Sequence, residues 1–251
     1  MATPRPVSST ELDNPIWHSL LGPLQEFGES EGDTRWFPST IAPFIAVPTA
    51  DTLPDLDAAA ARGWQDPAYF FGVIPQTLPV GWHFSSKSKV LQLLPPHDAP
   101  GDPQSANDDD IRELGPADRP AMLALTRVAF PVFFRERTAE LGHYLGIFSE
   151  GHLMAMAGER MALTGWQEIS GVCTHPSFAG KGSARRLMRA LLARHRRRGV
   201  STFLHVSEEN HHARRVYDSL GYVLRASMPM CKVERATTPV IPTNRPEDSR
   251  A

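Results

Sequence analysis

Three groups of residues have types and spacings that can do chemistry. The first is Phe178-Ala179-Gly180-Lys181-Gly182-Ser183-Ala184, between the strand-like EISGVCTHP and a helical pattern. A strand-to-helix loop ends in a helix N-terminus, where unpaired N–H groups and the macrodipole favour anions. Gly180, Gly182, Ser183 and Ala184 let phosphate oxygens approach the backbone without meeting bulky side chains. The second is Glu168, a carboxylate opening an otherwise apolar strand. Alternation puts it on one face with Ser170, Val172 and Thr174, and partial burial would raise its pKa toward that of a useful base. A solvated strand-end charge is the plain alternative. The third is Tyr217, on an inward helix face with Ala213, Val216 and Leu220. It is either a proton donor or a core aromatic.

Other candidates are weaker. Glu159, in AMAGERM, is a second possible base, or a partner for Arg160 or Arg135. His175 precedes Pro176 at a strand end, where a cap or solvent contact is expected. His211 and His212 are adjacent, a poor geometry for sharing one metal on a helix, and no metal is expected. Gly28-Glu29-Ser30-Glu31-Gly32 fits G-x-S-x-G, but that motif needs a strand before it and a helix after it. Here a helical pattern precedes, so a polar loop is expected. A Rossmann loop would need glycine in place of Arg185, and a Walker loop is broken by Gly182.

The elements that position these residues follow from periodicity. Ala184, Leu187, Met188, Leu191 and Leu192 form one apolar face of a helix over 182–198, closed by Gly199. Strands are expected at Ile111–Leu114, His143–Ser149, His152–Met161, Glu168–Thr174, Thr202–Val206 and Tyr222–Val233, with a turn at Glu150-Gly151. Helices are expected at Pro116–Arg127, Pro131–Leu141 and Asn210–Leu220, Asn210 being a good N-cap. The first half shows Asn14 and Pro15 starting a helix, strand-like runs at Ile41–Val47, Tyr69–Ile74 and Val90–Leu94, and a short helix at 56–62. The expected organisation is a loose tail at 1–12, an N-terminal α+β domain at 13–94, a Pro/Asp-rich linker at 95–110, a second domain at 111–234, and a loose tail at 235–251.

The totals narrow the class. Of 251 residues, 41% are hydrophobic, enough for a real core. A net charge of −2 gives no general reason to expect nucleic acid, despite the arginine-rich helix. Two cysteines, no signal-like N-terminus and no membrane-length apolar run make a cytoplasmic location the expectation, with no membrane partner.

GVCTHPSFAGKGSARRLM followed by NHHARRVYDSLGY resembles the GNAT acetyltransferase family, whose pattern is V-x-x-x-P-x-[YF]-[RQ]-G-x-G-x-[GA], then N-x-x-A-x-x-x-Y-x-x-x-G-[FY]. The matching residues are Val172, Pro176, Phe178, Gly180, Gly182 and Ala184, then Asn210, Ala213, Tyr217, Gly221 and Tyr222. Ala179 departs, because the family usually has Arg or Gln there. Its backbone N–H remains, and Lys181, Arg185 and Arg186 are either electrostatic compensation or solvated surface. The resemblance covers roughly 111–233.

It implies an α+β fold, a mixed and mostly antiparallel sheet flanked by helices, after a smaller N-terminal α+β unit. It also implies acetyl-CoA as acyl donor. Val172, Cys173 and Thr174 would pair through their backbone with the pantetheine arm, and Ala179, Gly180, Lys181, Gly182, Ser183 and Ala184 would hold the pyrophosphate. Asn210 would contact the pantetheine or phosphate region. A strand N–H near Val172 would stabilise the oxyanion if the neighbouring strand splays, which a bulge at Gly171 would permit. Phe133, Phe134 and Arg135 lie in the segment that lines the acceptor side in this family. The expected function is acetyl transfer to a primary amine by direct attack, with Glu168 as base and Tyr217 as acid. The alternative is a catalytically silent CoA-binding or interaction module. The acceptor and the oligomeric state, a homodimer included, are not encoded in any motif. The N-terminal unit is either a degenerate copy of the fold or a wall of the acceptor cleft.

Overall fold

A computed structural model describes residues 10–64, 67–96, 110–129 and 132–236. The opening helix α1 (Pro15–Leu21) starts with proline at its first position, as expected. Asn14 does not cap it: its Nδ2 donates to the Val47 carbonyl at 2.8 Å and ties the helix to the following segment. Short strands β1 (Glu29–Glu31), β2 (Thr34–Trp36) and β3 (Ile45–Ala46) form a separate three-stranded antiparallel sheet. The G-x-S-x-G run is thus a strand edge turning at Gly32. Helix α2 (Leu56–Ala61) follows, capped by Asp55, which accepts from the Ala58 N–H at 3.0 Å.

Strands β4 (Ala68–Phe71) and β5 (Trp82–Leu94) end the first half. The second half runs β6 (Ile111–Leu114), α3 (Arg119–Ala129), β7 (Tyr144–Ser149), β8 (His152–Leu163), β9 (Trp166–Thr174), α4 (Ser183–Arg197), β10 (Ser201–Ser207), α5 (His211–Ser219) and β11 (Val223–Arg235). All the second-half strands join one eight-stranded sheet, order β4-β11-β5-β10-β9-β8-β7-β6, in which only β9 and β10 run parallel. The expected mixed, mostly antiparallel sheet with flanking helices is present.

Further local readings change. Residues 132–141 do not form the expected α-helix. Pro131 lies outside the described residues, Val132 has φ 89°, and only a 3-10 turn forms at Thr138–Leu141. Leu12, assigned to a loose tail, is buried in the core, and its carbonyl accepts from Gln92 Nε2 at 2.9 Å. Arg235 closes β11 rather than opening a tail, and residues 237–251 lie outside the described residues. The proposed linker falls mostly outside them too, at 97–109.

One observation bears on the division at 94. β5 from the first half lies between β10 and β11 of the second, in register from Leu94↔Val223 to Trp82↔Arg235 on one side and from Leu93↔Leu204 to Val90↔Ser207 on the other. The two halves share a sheet.

Each sheet face has its own core. On one face Leu187, Met188 and Leu191 of α4 are fully buried against Ile147, Ala155, Ile169 and Leu204. Each such side chain is worth roughly 1.5–3 kcal/mol of burial. On the other face α1 and the first-half loops pack Ile16, Phe37 and Phe44 against Met161 and Phe203, while α3 lays Met122 and Leu125 on Tyr144, Met156 and Cys173. Among the described residues, no helix is long and apolar enough to cross a membrane.

Candidate active site

The site begins where β9 leaves regular pairing. Its parallel register with β10 runs from Trp166↔Ser201 to Ile169↔Leu204 and stops. Against β8 the register skips between Cys173↔Met156 and Ser170↔Gly158, so β9 carries an extra residue there. Gly171 takes φ +61°, a conformation that glycine adopts freely. Gly171 and Val172 therefore have no register partner on either neighbouring strand. The bulge also resets the alternation. Ile169 packs beneath α4, Val172 packs there too, and Cys173 faces the α3 side. Glu168 and Val172 are thus on opposite faces, contrary to the simple period of two.

β9 leads into a 3-10 turn at Pro176–Phe178, capped by His175, whose Nδ1 accepts from the Ser177 N–H. Gly180 (φ +79°) and Gly182 (φ +75°) then bring the chain to α4, with open space where a Cβ would stand at either. No side chain caps α4. The nearby cations are already engaged. Lys181 Nζ lies 4.1 Å from the centroid of the Phe178 ring, Arg185 donates to Ser219 Oγ at 2.7 Å, and Arg186 pairs with Asp110. Ser183 is buried and Ala184 half-buried. Asn210 caps α5 by accepting from the Ala213 N–H at 3.0 Å.

Between the splayed ends of β9 and β10 opens a cleft. Ser170, Gly171, Val172, Ser207, Asn210 and Tyr217 line it, together with Arg160, His205, Phe44 and Phe133. Tyr217 is 6% exposed. Burial pushes its phenol above the ordinary tyrosine range, so it stays protonated at neutral pH, and its hydroxyl has no hydrogen-bond partner among the described residues. Burial likewise pushes the Cys173 thiol up to about 12.

Glu168 does not line the cleft, and its environment reverses the expected shift. It is completely buried. Burial alone would raise its pKa, but the Arg160 charge and hydrogen bonds from His205 and Arg160 pull it down to about 2. Arg160 Nε and Nη2 grip both carboxylate oxygens at 2.9 and 2.8 Å, the Met161 N–H donates at 3.1 Å, and His205 Nδ1 lies 2.8 Å from Oε1. Gln92 decides the state of that histidine. Its Oε1 accepts from Arg225 and its Nε2 donates to the Leu12 carbonyl, so Nε2 also donates to His205 Nε2 at 2.9 Å. His205 is therefore neutral, with its proton on Nδ1 facing Glu168. Burial lowers its pKa in the same sense.

Glu159 belongs to the other face, with Oε1 3.0 Å from His195 Nε2 beneath α4. Burial opposes its ionisation, but the hydrogen bonds from His195 and the His143 N–H prevail and lower its pKa. Phe133 stacks on Phe44 in the cleft at 5.8 Å and 7°, whereas Phe134 packs edge-on against Tyr144. Sequence reasoning missed Arg160 and His205 as cleft residues. Each is a polar side chain inside an apolar strand, a signal also carried by Glu168, which it did use.

A family model described as FR47-like protein matches residues 144–229. A structure of a GNAT-family acetyltransferase from Novosphingobium aromaticivorans, itself described as putative, is 32% identical, with a TM-score of 0.78 over 90% of this chain and 99% of that one. The chain belongs to the GNAT family. The fold is also similar to that of a GCN5-related N-acetyltransferase from Kribbella flavida (15% identical, TM-score 0.56, 90% of this chain and 95% of that one) and a GCN5-related N-acetyltransferase-like protein from Streptococcus suis (14%, 0.56, 90% and 96%). Those two likenesses show the fold alone. No curated protein matches the sequence. GNAT membership supports acetyl transfer in general.

Proposed function

We propose that the protein moves an acetyl group from acetyl-CoA to a primary amine by direct attack. The observation that carries this reading is continuity along the chain: the unpaired bulge at Gly171 and Val172 leads, through the end of β9 and a 3-10 turn, to an uncapped helix N-terminus approached through two left-handed glycines. Such a junction fits a diphosphate, because the space beside Gly180 and Gly182 is open and the helix N-terminus offers unpaired N–H groups. Main-chain groups of Val172, Cys173 and Thr174 would hold the pantetheine arm, and residues from Ala179 to Ala184, Lys181 included, the pyrophosphate. Asn210, already spent as a cap through its side chain, lines the same cleft.

The donor, when bound, supplies a thioester carbonyl. The Val172 N–H meets the negative charge that develops on its oxygen. Tyr217, kept protonated by burial and free of other partners, gives a proton to the departing thiolate. Glu168 acts through Arg160 and His205, holding both at the cleft, and a group with its pKa at about 2 takes no proton at neutral pH. The amine enters in its neutral form and sheds its second proton to water in the open cleft.

A second reading, a CoA-binding module without turnover, is favoured by that same state of Glu168. Calorimetry and an amine panel separate the possibilities. Heat with acetyl-CoA plus thiol release on adding amines supports the enzyme. Heat without release supports the module, and no heat overturns both. Gly182→Glu, which puts bulk and negative charge in the cradle, is expected to abolish the heat.

A further inference from the structure

Arg160 is 8% exposed, in mid-strand, and its guanidinium is held from two sides. Glu168 takes Nε and Nη2, while the Phe44 ring lies 5.1 Å below. Nη1 has no hydrogen-bond partner among the described residues, and it is not among the sealed, partnerless atoms. Because Arg160 lines the cleft, this amino group opens into it. Around it the cleft wall is apolar: Phe44 stacked on Phe133, with Phe71, Met161 and Met230.

The net charge of this wall decides what Nη1 can receive. Glu168 cancels the guanidinium charge, and His205 adds none, because Gln92 donates to its Nε2. A carboxylate entering here would be desolvated without a counter-charge, which is costly. A neutral carbonyl oxygen accepts an Nη1–H bond without that cost. We infer that the acceptor is an amine with an aromatic or bulky apolar body and a neutral carbonyl oxygen, an amino-acid amide or peptide N-terminus in chemical class, and that Arg160 Nη1 binds that oxygen. The inference rests on the acetyl-transfer reading of the same cleft.

Three probes of one shape test it: phenylalaninamide, phenylalanine and phenethylamine, each rate referred to the concentration of its neutral amine. In the wild-type protein the amide is expected to exceed phenethylamine in kcat/KM by about 10- to 100-fold, the worth of a hydrogen bond to a charged donor. Phenylalanine is expected to fall below the amide. In Arg160→Met combined with Glu168→Gln, which strands no buried charge, the amide's advantage is expected to vanish. Equal rates for amide and phenethylamine in the wild type would overturn the proposal, whether or not the double variant folds. So would a preference for the free acid, or an amide advantage that survives in the folded double variant. The same ranking, read from wild-type binding by calorimetry without donor, stands apart from the transfer reading. Failure of acetyl-CoA to bind sinks that reading, whereas indifference among the three probes sinks this one.

Discussion

Glu168 shows how one residue can be conspicuous for the right reason and assigned the wrong chemistry. A carboxylate in an apolar strand needs a partner, and Arg160 supplies it so completely that the acid is strengthened. Between pH 5 and 8 it stays ionised. The kcat/KM profile is therefore expected to show a limb that follows the pKa of the acceptor amine, moving when the acceptor is changed. A fixed enzymic limb near neutrality would return the base role to a protein group. Stability carries the matching sign. The folded pKa lies below the ordinary 4.5, so the stabilisation is present above pH 4.5 and is lost as pH falls toward about 2. Glu168→Gln, leaving Arg160 buried and unpaired, is expected to cost about 3–5 kcal/mol at pH 7, narrowing in acid, as urea titrations at several pH values would reveal. Tyr217→Phe keeps the ring and removes the proton. It is expected to lower kcat with acetyl-CoA affinity unchanged, and an unaltered kcat would end its role as the acid.

At the scale of elements, glycines of two kinds separate binding from folding. Gly158 lies in β8, where an added Cβ would stand 2.2 Å from Tyr144 Cδ1 in the core. Gly158→Ala is expected to destabilise by about 1–3 kcal/mol in denaturant titrations. Gly180 has open space around it, and its constraint is conformational, at φ +79°. Gly180→Asp is expected to weaken acetyl-CoA binding at least tenfold, by placing charge beside the anion, with a smaller loss of stability. The α4 apolar face and the Asn210 cap were legible because both are local, set by spacing along a single element. The bulge at Gly171 was legible only as a permission. Its consequence, the change of face between Glu168 and Val172, depends on how β8 pairs opposite it.

For the whole molecule the deciding feature is β5. A strand from the first half fills the place between β10 and β11, and β4 extends the sheet beyond β11. Residues 110–236 expressed alone are therefore expected to expose the edges of β10 and β11 and to fail to fold cooperatively. Adding residues 1–96 as a separate chain is expected to restore a cooperative thermal transition. A folded, acetyl-CoA-binding 110–236 fragment would contradict this. The first half also supplies Phe44, Phe71 and Val90 to the cleft, so losing it would remove part of the site wall as well as sheet edges.

By itself the sequence determined the strand-to-helix loop at 179–184, the amphipathic α4, the capped α5 and, through two blocks in order, the family. These are short-range properties, written in spacing, glycine placement and side-chain size. Only the tertiary structure decided that Arg160, Glu168, His205 and Gln92 form one network, that the first half completes the sheet, and that Arg160 Nη1, without a hydrogen-bond partner among the described residues, lies at a cleft walled by Phe44 and Phe133. Those facts join residues far apart in the chain. Pairing register and burial place them, and both are set by long-range packing that no local pattern records.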